Sequence, residues 1–169
     1  VAGVSTLKHP TNPLVARAWL ALVDGITADM TGTTLPRIGT NSLPAWASTG
    51  FLTVQTVGGS PSIDTLIAQP VVSVKCWAVN ASQPGSGANV AVSQRVPWGR
   101  SEELAEAVRH AAPVLARTGT QLVTIPVSGY EQAVVESAYL VSEIRPIQDP
   151  TGYACHQFDL LINWKPVTV

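Results

Sequence analysis

Along Pro70-Val71-Val72-Ser73-Val74-Lys75-Cys76-Trp77-Ala78, side chains of one character fall on every second position. Val72, Val74, Cys76 and Ala78 share one side, while Val71, Ser73, Lys75 and Trp77 share the other. A period of two predicts a strand with one dry face and one mixed face. Further on, Leu104, Ala107, Val108, Ala111 and Leu115 recur at helical spacing. Glu102, Glu103 and Glu106 fall in the first turns of that helix and Arg117 near its end, both favourable to the helix dipole. Strand and helix each offer an apolar face, so they are expected to pack together. Between them runs Asn80–Gly99, with Ser, Gly, Pro and Ala at its start, then Val90-Ala91-Val92, Arg95 and Pro97-Trp98. Loops this long inside a compact domain are either functional or disordered. An aliphatic middle is wrong for a purely solvated linker, and it predicts an arm that orders on a neighbouring subunit.

The rest of the chain supplies the partners of this unit. Asn12-Pro13 has the signature of a helix start, Asn as N-cap and Pro at the first helical position. Leu14, Val15, Ala18, Trp19, Leu22 and Val23 then form a broad stripe that Asp24-Gly25 ends. Thr27–Thr49 reads as an irregular connector pinned by Leu35, Ile38, Leu43 and Trp46. Gly50–Val57 is a strand with Leu52 and Val54 inward, broken by Gly58-Gly59-Ser60-Pro61, and it pairs with Pro70–Ala78 as a wide antiparallel hairpin. Pro113 is expected to kink the second helix or end it early, and Gly119 to stop it. Leu122–Val127 reads as a short edge strand because Pro126 cannot donate to a ladder. Tyr130–Ser137 fits strand or helix. Ala138–Ile147 and Tyr153–Trp164 flank Gln148-Asp149-Pro150-Thr151-Gly152 as a hairpin. In its second strand Phe158, Leu160, Ile162 and Trp164 line one face, with Gln157, Asp159 and Asn163 opposite. The expected fold is α+β in a single domain over residues 1–169: a mostly antiparallel sheet of four to five strands covered by two main helices, with a long loop at about 80–99.

Composition changes this picture in one respect. Charged residues make up 12% of the 169, where roughly a quarter is usual. Hydrophobic content, at 46%, is ordinary. The deficit is therefore one of surface charge, and it favours a surface buried against other subunits over a merely Ser/Thr/Gly/Pro-rich one. A net charge of −1 argues against gripping nucleic acid. The most apolar run, Leu14–Val23, contains Arg17 and is too short to span a bilayer. Val1-Ala2-Gly3-Val4-Ser5 shows no export signal. Cys76 and Cys155 either pair across adjacent strands or, as expected without such a signal, remain two buried thiols.

Catalytic signatures are missing. The Gly-Ser-Gly within Gln83–Ala88 has neither the strand-helix setting nor the Lys of a phosphate loop. His9, His110 and His156 are far apart, with no Cys-x-x-Cys or His-x-x-x-His, so neither metal nor cofactor is expected. His156 falls in the register of Phe158, toward the core. No nucleophile-elbow sequence is present. An enzyme is not expected.

A strand closing on Val57-Gly58-Gly59 is followed by Pro70-Val71-Val72-Ser73-Val74 with Trp77-Ala78, then by Leu104-Ala105-Glu106-Ala107-Val108-Arg109. Last comes a hairpin with Arg145-Pro146 and Asp149-Pro150-Thr151-Gly152-Tyr153. In this order, over roughly Leu14–Trp164, the chain resembles the tail terminator proteins of long-tailed, siphovirus-like bacteriophages. The Asn80–Gly99 loop and the Thr27–Thr49 connector are bulkier than that pattern. The resemblance implies a virion structural protein that forms a hexameric ring at the tail–neck junction and is assembled in the host bacterial cytoplasm. Its partners would be further copies of itself, the tail tube protein and the neck or head–tail connector. Genomic DNA would slide through the ring without specific binding, and no membrane is involved. Candidate subunit-interface residues are Lys75, Trp77, Val90, Val92, Arg95 and Trp98. The alternative within the same particle is a tail tube subunit or a neck connector; outside it, a small-molecule-binding module or an enzyme.

Overall fold

The computed structural model describes residues 7–27, 31–32, 50–60, 67–78, 95–148 and 153–167, except the side chains of Arg95 and Val96. In chain order the elements are α1 (Asn12–Leu20), β1 (Thr31–Gly32), β2 (Phe51–Ser60), β3 (Gln69–Ala78), α2 (Arg95–Arg117), β4 (Gln121–Val123), β5 (Ala133–Leu140), β6 (Arg145–Gln148) and β7 (Ala154–Pro166). The architecture is α+β, with the strands in one mostly antiparallel sheet ordered β1-β2-β3-β7-β5-β4. β6 also pairs with β7, and β1 pairs with β2 in parallel. Among the described residues seven strands replace the expected four to five. The expected edge strand Leu122–Val127 is β4, shorter and beginning at Gln121, while β1 is an addition of only two residues, too short to carry a period.

β7 is the spine. Its 13 residues pair with β3 along one side, from Ala78↔Ala154 to Val71↔Leu161. On its other side it meets β6 over Ala154–Gln157 and β5 from Leu160 to Pro166. The expected strand Ala138–Ile147 is thus two strands that share the flank of β7, interrupted after Leu140. The hairpin joining β6 to β7 is formed, while the Asp149–Gly152 part of its turn lies outside the described residues.

One face of this sheet is dry. Leu52, Val54, Val72, Val74, Phe158, Leu160, Ile162 and Trp164 are buried there, together with Val15, Trp19 and Leu20 of α1 and Leu104, Ala105, Val108 and Ala112 of α2. The alternation in β3 and β7 holds as the sequence predicts. Ambiguity at Tyr130–Ser137 resolves to strand, with a bulge at Glu136. That extra residue lets Ala133 and Val135 on one side of it, and Ala138 on the other, all reach the core, a spacing that is neither two nor 3.6.

Both helices differ from expectation at their ends. The N-cap of α1 is Thr11, with extended φ −80° and ψ 156°, rather than Asn12. Asn12 Oδ1 instead accepts the indole N–H of Trp164 at 3.0 Å, tying α1 to β7. α1 stops at Leu20, and Leu22 and Val23 donate to the carbonyls of Trp19 and Leu20 in tighter turns. Leu20 is consequently buried, and Leu22 stays 41% exposed. α2 begins at Arg95, so the loop after β3 ends sooner than 99, and Glu102, Glu103 and Glu106 lie past the first turn. Pro97 fits there because a first-turn N–H needs no helical partner. Pro113 does not end the helix, which runs on to Arg117; Gly119, at φ 95°, follows. No helix among the described residues is long and apolar enough to cross a membrane.

Candidate assembly surface

Since α1 and α2 both pack on the dry face, the opposite face of the sheet has no helix over it among the described residues. Its side chains come from the other strand parity and fall in rows across β2, β3, β7 and β6 or β5. One row is Phe51, Trp77, Cys155 and Ile147; the next is Thr53, Lys75, Gln157 and Arg145. Gln55, Ser73 and Asp159 follow, and then Val71, Leu161 and Tyr139.

The first row makes a second, smaller apolar cluster. Trp77, Tyr153 and Cys155 are buried in it, with Phe51 and Ile147 packed against them. The Trp77 indole N–H donates to Thr53 Oγ1 at 3.0 Å, so its one polar group is satisfied. The middle of the face is a strip of side-chain hydrogen bonds. Gln157 donates to Ser73 Oγ at 2.7 Å, and Asn163 donates to Ser137 Oγ at 2.6 Å. Ser142 Oγ accepts the Asp159 backbone N–H at 2.8 Å, and Arg145 stands 4.0 Å from the Asp159 carboxylate. Lys75 Nζ lies 6.0 Å from the Trp77 ring centroid. Tyr139 is 49% exposed at the far end, beside Leu161 and Val71. Such a face offers shape, apolar area and fixed hydrogen-bonding groups to a partner.

Lys75 and Trp77 therefore share this face, Lys75 partly exposed and Trp77 inside the small cluster. Trp98 does not join them. It belongs to α2, on the helical side of the sheet, with its ring edge-on to His156 at 5.6 Å. Arg95 opens α2, and Val90 and Val92 lie outside the described residues. Residue type alone missed Tyr139, Tyr153, Phe51 and Ile147. The strand parity of β3, carried across the ladder to its neighbours, points to Phe51 and Ile147. Tyr139 has the same parity, opposite Leu161.

Elsewhere among the described residues several ionisable groups form pairs. Arg109 and His110 both approach Glu106, at 2.7 and 3.6 Å, and Arg100 meets Glu103 at 3.2 Å. His9 lies 3.1 Å from Glu131. Ser101 Oγ is 2.7 Å from His156 Nδ1, a serine–histidine pair that the sequence did not announce. Ser101 is fully buried, and its hydroxyl also donates to the Trp98 carbonyl at 3.0 Å, so it ties α2 to β7. Burial pushes the His156 imidazole below its ordinary pKa, against a smaller upward pull from Glu102. The Cys76 thiol is pushed well up, by burial first and then by Cys155. Cys76 shares the parity of the dry face and Cys155 that of the open face, and neither is in a disulfide. Among the described residues no three His, Cys, Asp or Glu side chains gather as a metal site requires. In comparison with known proteins, no family model and no curated sequence matches this chain.

Proposed function

We propose that this chain is the tail terminator of a long-tailed bacteriophage particle: a ring-forming virion protein that caps the tail tube, ends its elongation and joins the tail to the neck of the filled head. The observation that carries this reading is the one-sided build of the sheet. Helices cover one face, and the other presents Tyr139, Leu161, Val71 and a strip of fixed hydrogen bonds. A tube of identical stacked rings has no intrinsic reason to stop, since each ring recreates the same binding face. Stopping needs a subunit that matches the growing end on one face and mismatches further tube subunits on the other. A domain whose two faces differ this much meets that need without catalytic groups.

The low charge, 12% of residues, agrees with surface buried between copies. Copies meeting head-to-tail close a ring when the rotation per contact is right, six in the proposed assembly. A net charge of −1 suits a channel through which DNA slides without being gripped. Imaging of particles labelled for this protein tests the reading. A single closed ring at the tail–neck junction is the expected result. Labelling along the whole tube would make the chain a tube subunit, labelling at the head vertex a connector, and scattered single copies would end the ring proposal.

A further inference from the structure

Two exposed apolar features lie on opposite sides of the sheet, a hollow and a corner. The hollow is a groove of about 400 Å³ between the turns after α1 and the outer side of α2. It forms because α1 stops at Leu20, which leaves Leu22 outward, and because Ala107 and Ala111 put little bulk between Leu22 and Val114. Leu22 is 41% exposed and Val114 58%. Among the described residues Asp24 and His110 bring the only polar side chains to it, so an apolar side chain suits it better than a small polar ligand. The corner is the chain between β5 and β6. There Leu140 and Ile144 pack on the core, while Tyr139, Val141 and Glu143 stand exposed. Tyr139 continues the row of Leu161 and Val71 on the open face.

We infer that the Tyr139–Glu143 corner of one copy seats in the α1–α2 groove of a second copy, with Glu143 of the corner set against Arg117 beside the groove. The seat rests on the ring reading above and supplies its contact. Charge selects this pairing. From Ala107 to Arg117, α2 carries Arg109, His110 and Arg117 and no acid. Arg109 and His110 are both held by Glu106, which leaves Arg117 without an ionic partner among the described residues. Arg117 follows Val114 by three positions, on the same side of the helix. At the corner Arg145 stands by Asp159, which leaves Glu143 as the exposed acid without a cation among the described residues. Asp24 is on the opposite wall of the groove, so the acid of the corner is directed to the α2 side. Groove and corner are different patches, and each copy binds by one and is bound by the other. Such a head-to-tail contact can close into a ring, whereas a patch meeting its own twin ends at a dimer.

Cysteine cross-linking with a bismaleimide tests the seat, both in the purified protein at high concentration and in particles. Val114→Cys and Val141→Cys are combined in one chain, and the unaltered protein, whose Cys76 and Cys155 are buried, gives the background. All the altered positions are exposed, so the unfolding midpoint should stay as it is. The double variant is expected to give a ladder of linked copies on a denaturing gel, and each single variant none. In that background Arg117→Glu or Glu143→Arg alone should lower the yield about threefold to tenfold, and the two together should restore it. The seat is overturned if no ladder forms in either setting, if one single variant links as well as the double, or if the charge exchange fails to restore linking. Particles that show one ring at the tail–neck junction but no ladder would remove the seat and leave the ring reading. Linking in the purified protein beside scattered single copies in particles would do the reverse.

Discussion

Gly59 of β2 stands opposite Pro70 of β3. Its φ is 111°, and a Cβ there would fall 2.3 Å from the Gln69 carbonyl oxygen. Gly59→Ala is expected to cost about 1–3 kcal/mol, because a left-handed strain and a backbone clash must both be absorbed. Denaturant unfolding would read this. Near the same end of β3, where Trp164 lies opposite Ala68, Trp164→Phe keeps an aromatic ring in the core and removes the donor to Asn12; a loss of about 0.5–1.5 kcal/mol is expected, by the same measurement. The pH dependence of folding follows from His156. Its pKa is lower folded than unfolded, so the unfolded chain takes up the proton first. Stability is therefore full above the unfolded value of about 6.5 and falls as pH drops through it toward the folded value. Unfolding at about pH 7.5 and about pH 5.5 should show this slope, diminished in His156→Gln. Individual residues of this kind were half legible. The core register of His156 could be read from Phe158 two places on. Its partner Ser101, 55 positions away, could not, because nothing local links a serine to a strand it meets only after folding.

Among the elements, β5 shows what a single inserted residue decides. Ala133, Val135 and Ala138 all face the core because Glu136 is bulged out, with Lys165 3.0 Å from its carboxylate. Deleting Glu136 would leave Val135 opposite Trp164 and Ser137 opposite Asn163 in an unbroken alternation, so Ala133 and Val135 keep facing the core. Stability, read from the denaturation midpoint, is expected to move by no more than about 1 kcal/mol, whereas a loss of about 1.5–3 kcal/mol, the burial of Val135, would show that the first part of β5 had turned over. β3 and β7 were legible because each buries one face along an unbroken alternation, and the same holds for the α2 stripe from Leu104 onward. The start of α2 was not, since Pro97-Trp98-Gly99 has the composition of a turn while its Pro also suits a first helical turn. β6 was hidden inside an apparently continuous strand, because a change of pairing partner along β7 leaves no mark on local pattern.

At the scale of the whole molecule, the sheet has one face buried under helices, while the other, among the described residues, has no helix over it and is exposed toward the Tyr139 end. Of the candidate assembly residues, Lys75 and Trp77 lie on that second face, Trp77 buried in the small cluster, and Trp98 went to the helical side because α2 begins earlier than its composition indicates. Tyr139, half exposed and outside the core, separates folding from assembly. Tyr139→Asp is expected to shift stability by no more than about 0.5 kcal/mol, as surface changes do, yet to reduce incorporation of the protein into particles in a competition with the unaltered chain. The most direct measurement of the central proposal is the tube-length distribution, by electron microscopy, in particles produced without this protein. Tubes of uncontrolled length that fail to join heads are the expected result. Tails of normal length, joined to heads, would contradict it and assign the ending of the tube to some other protein.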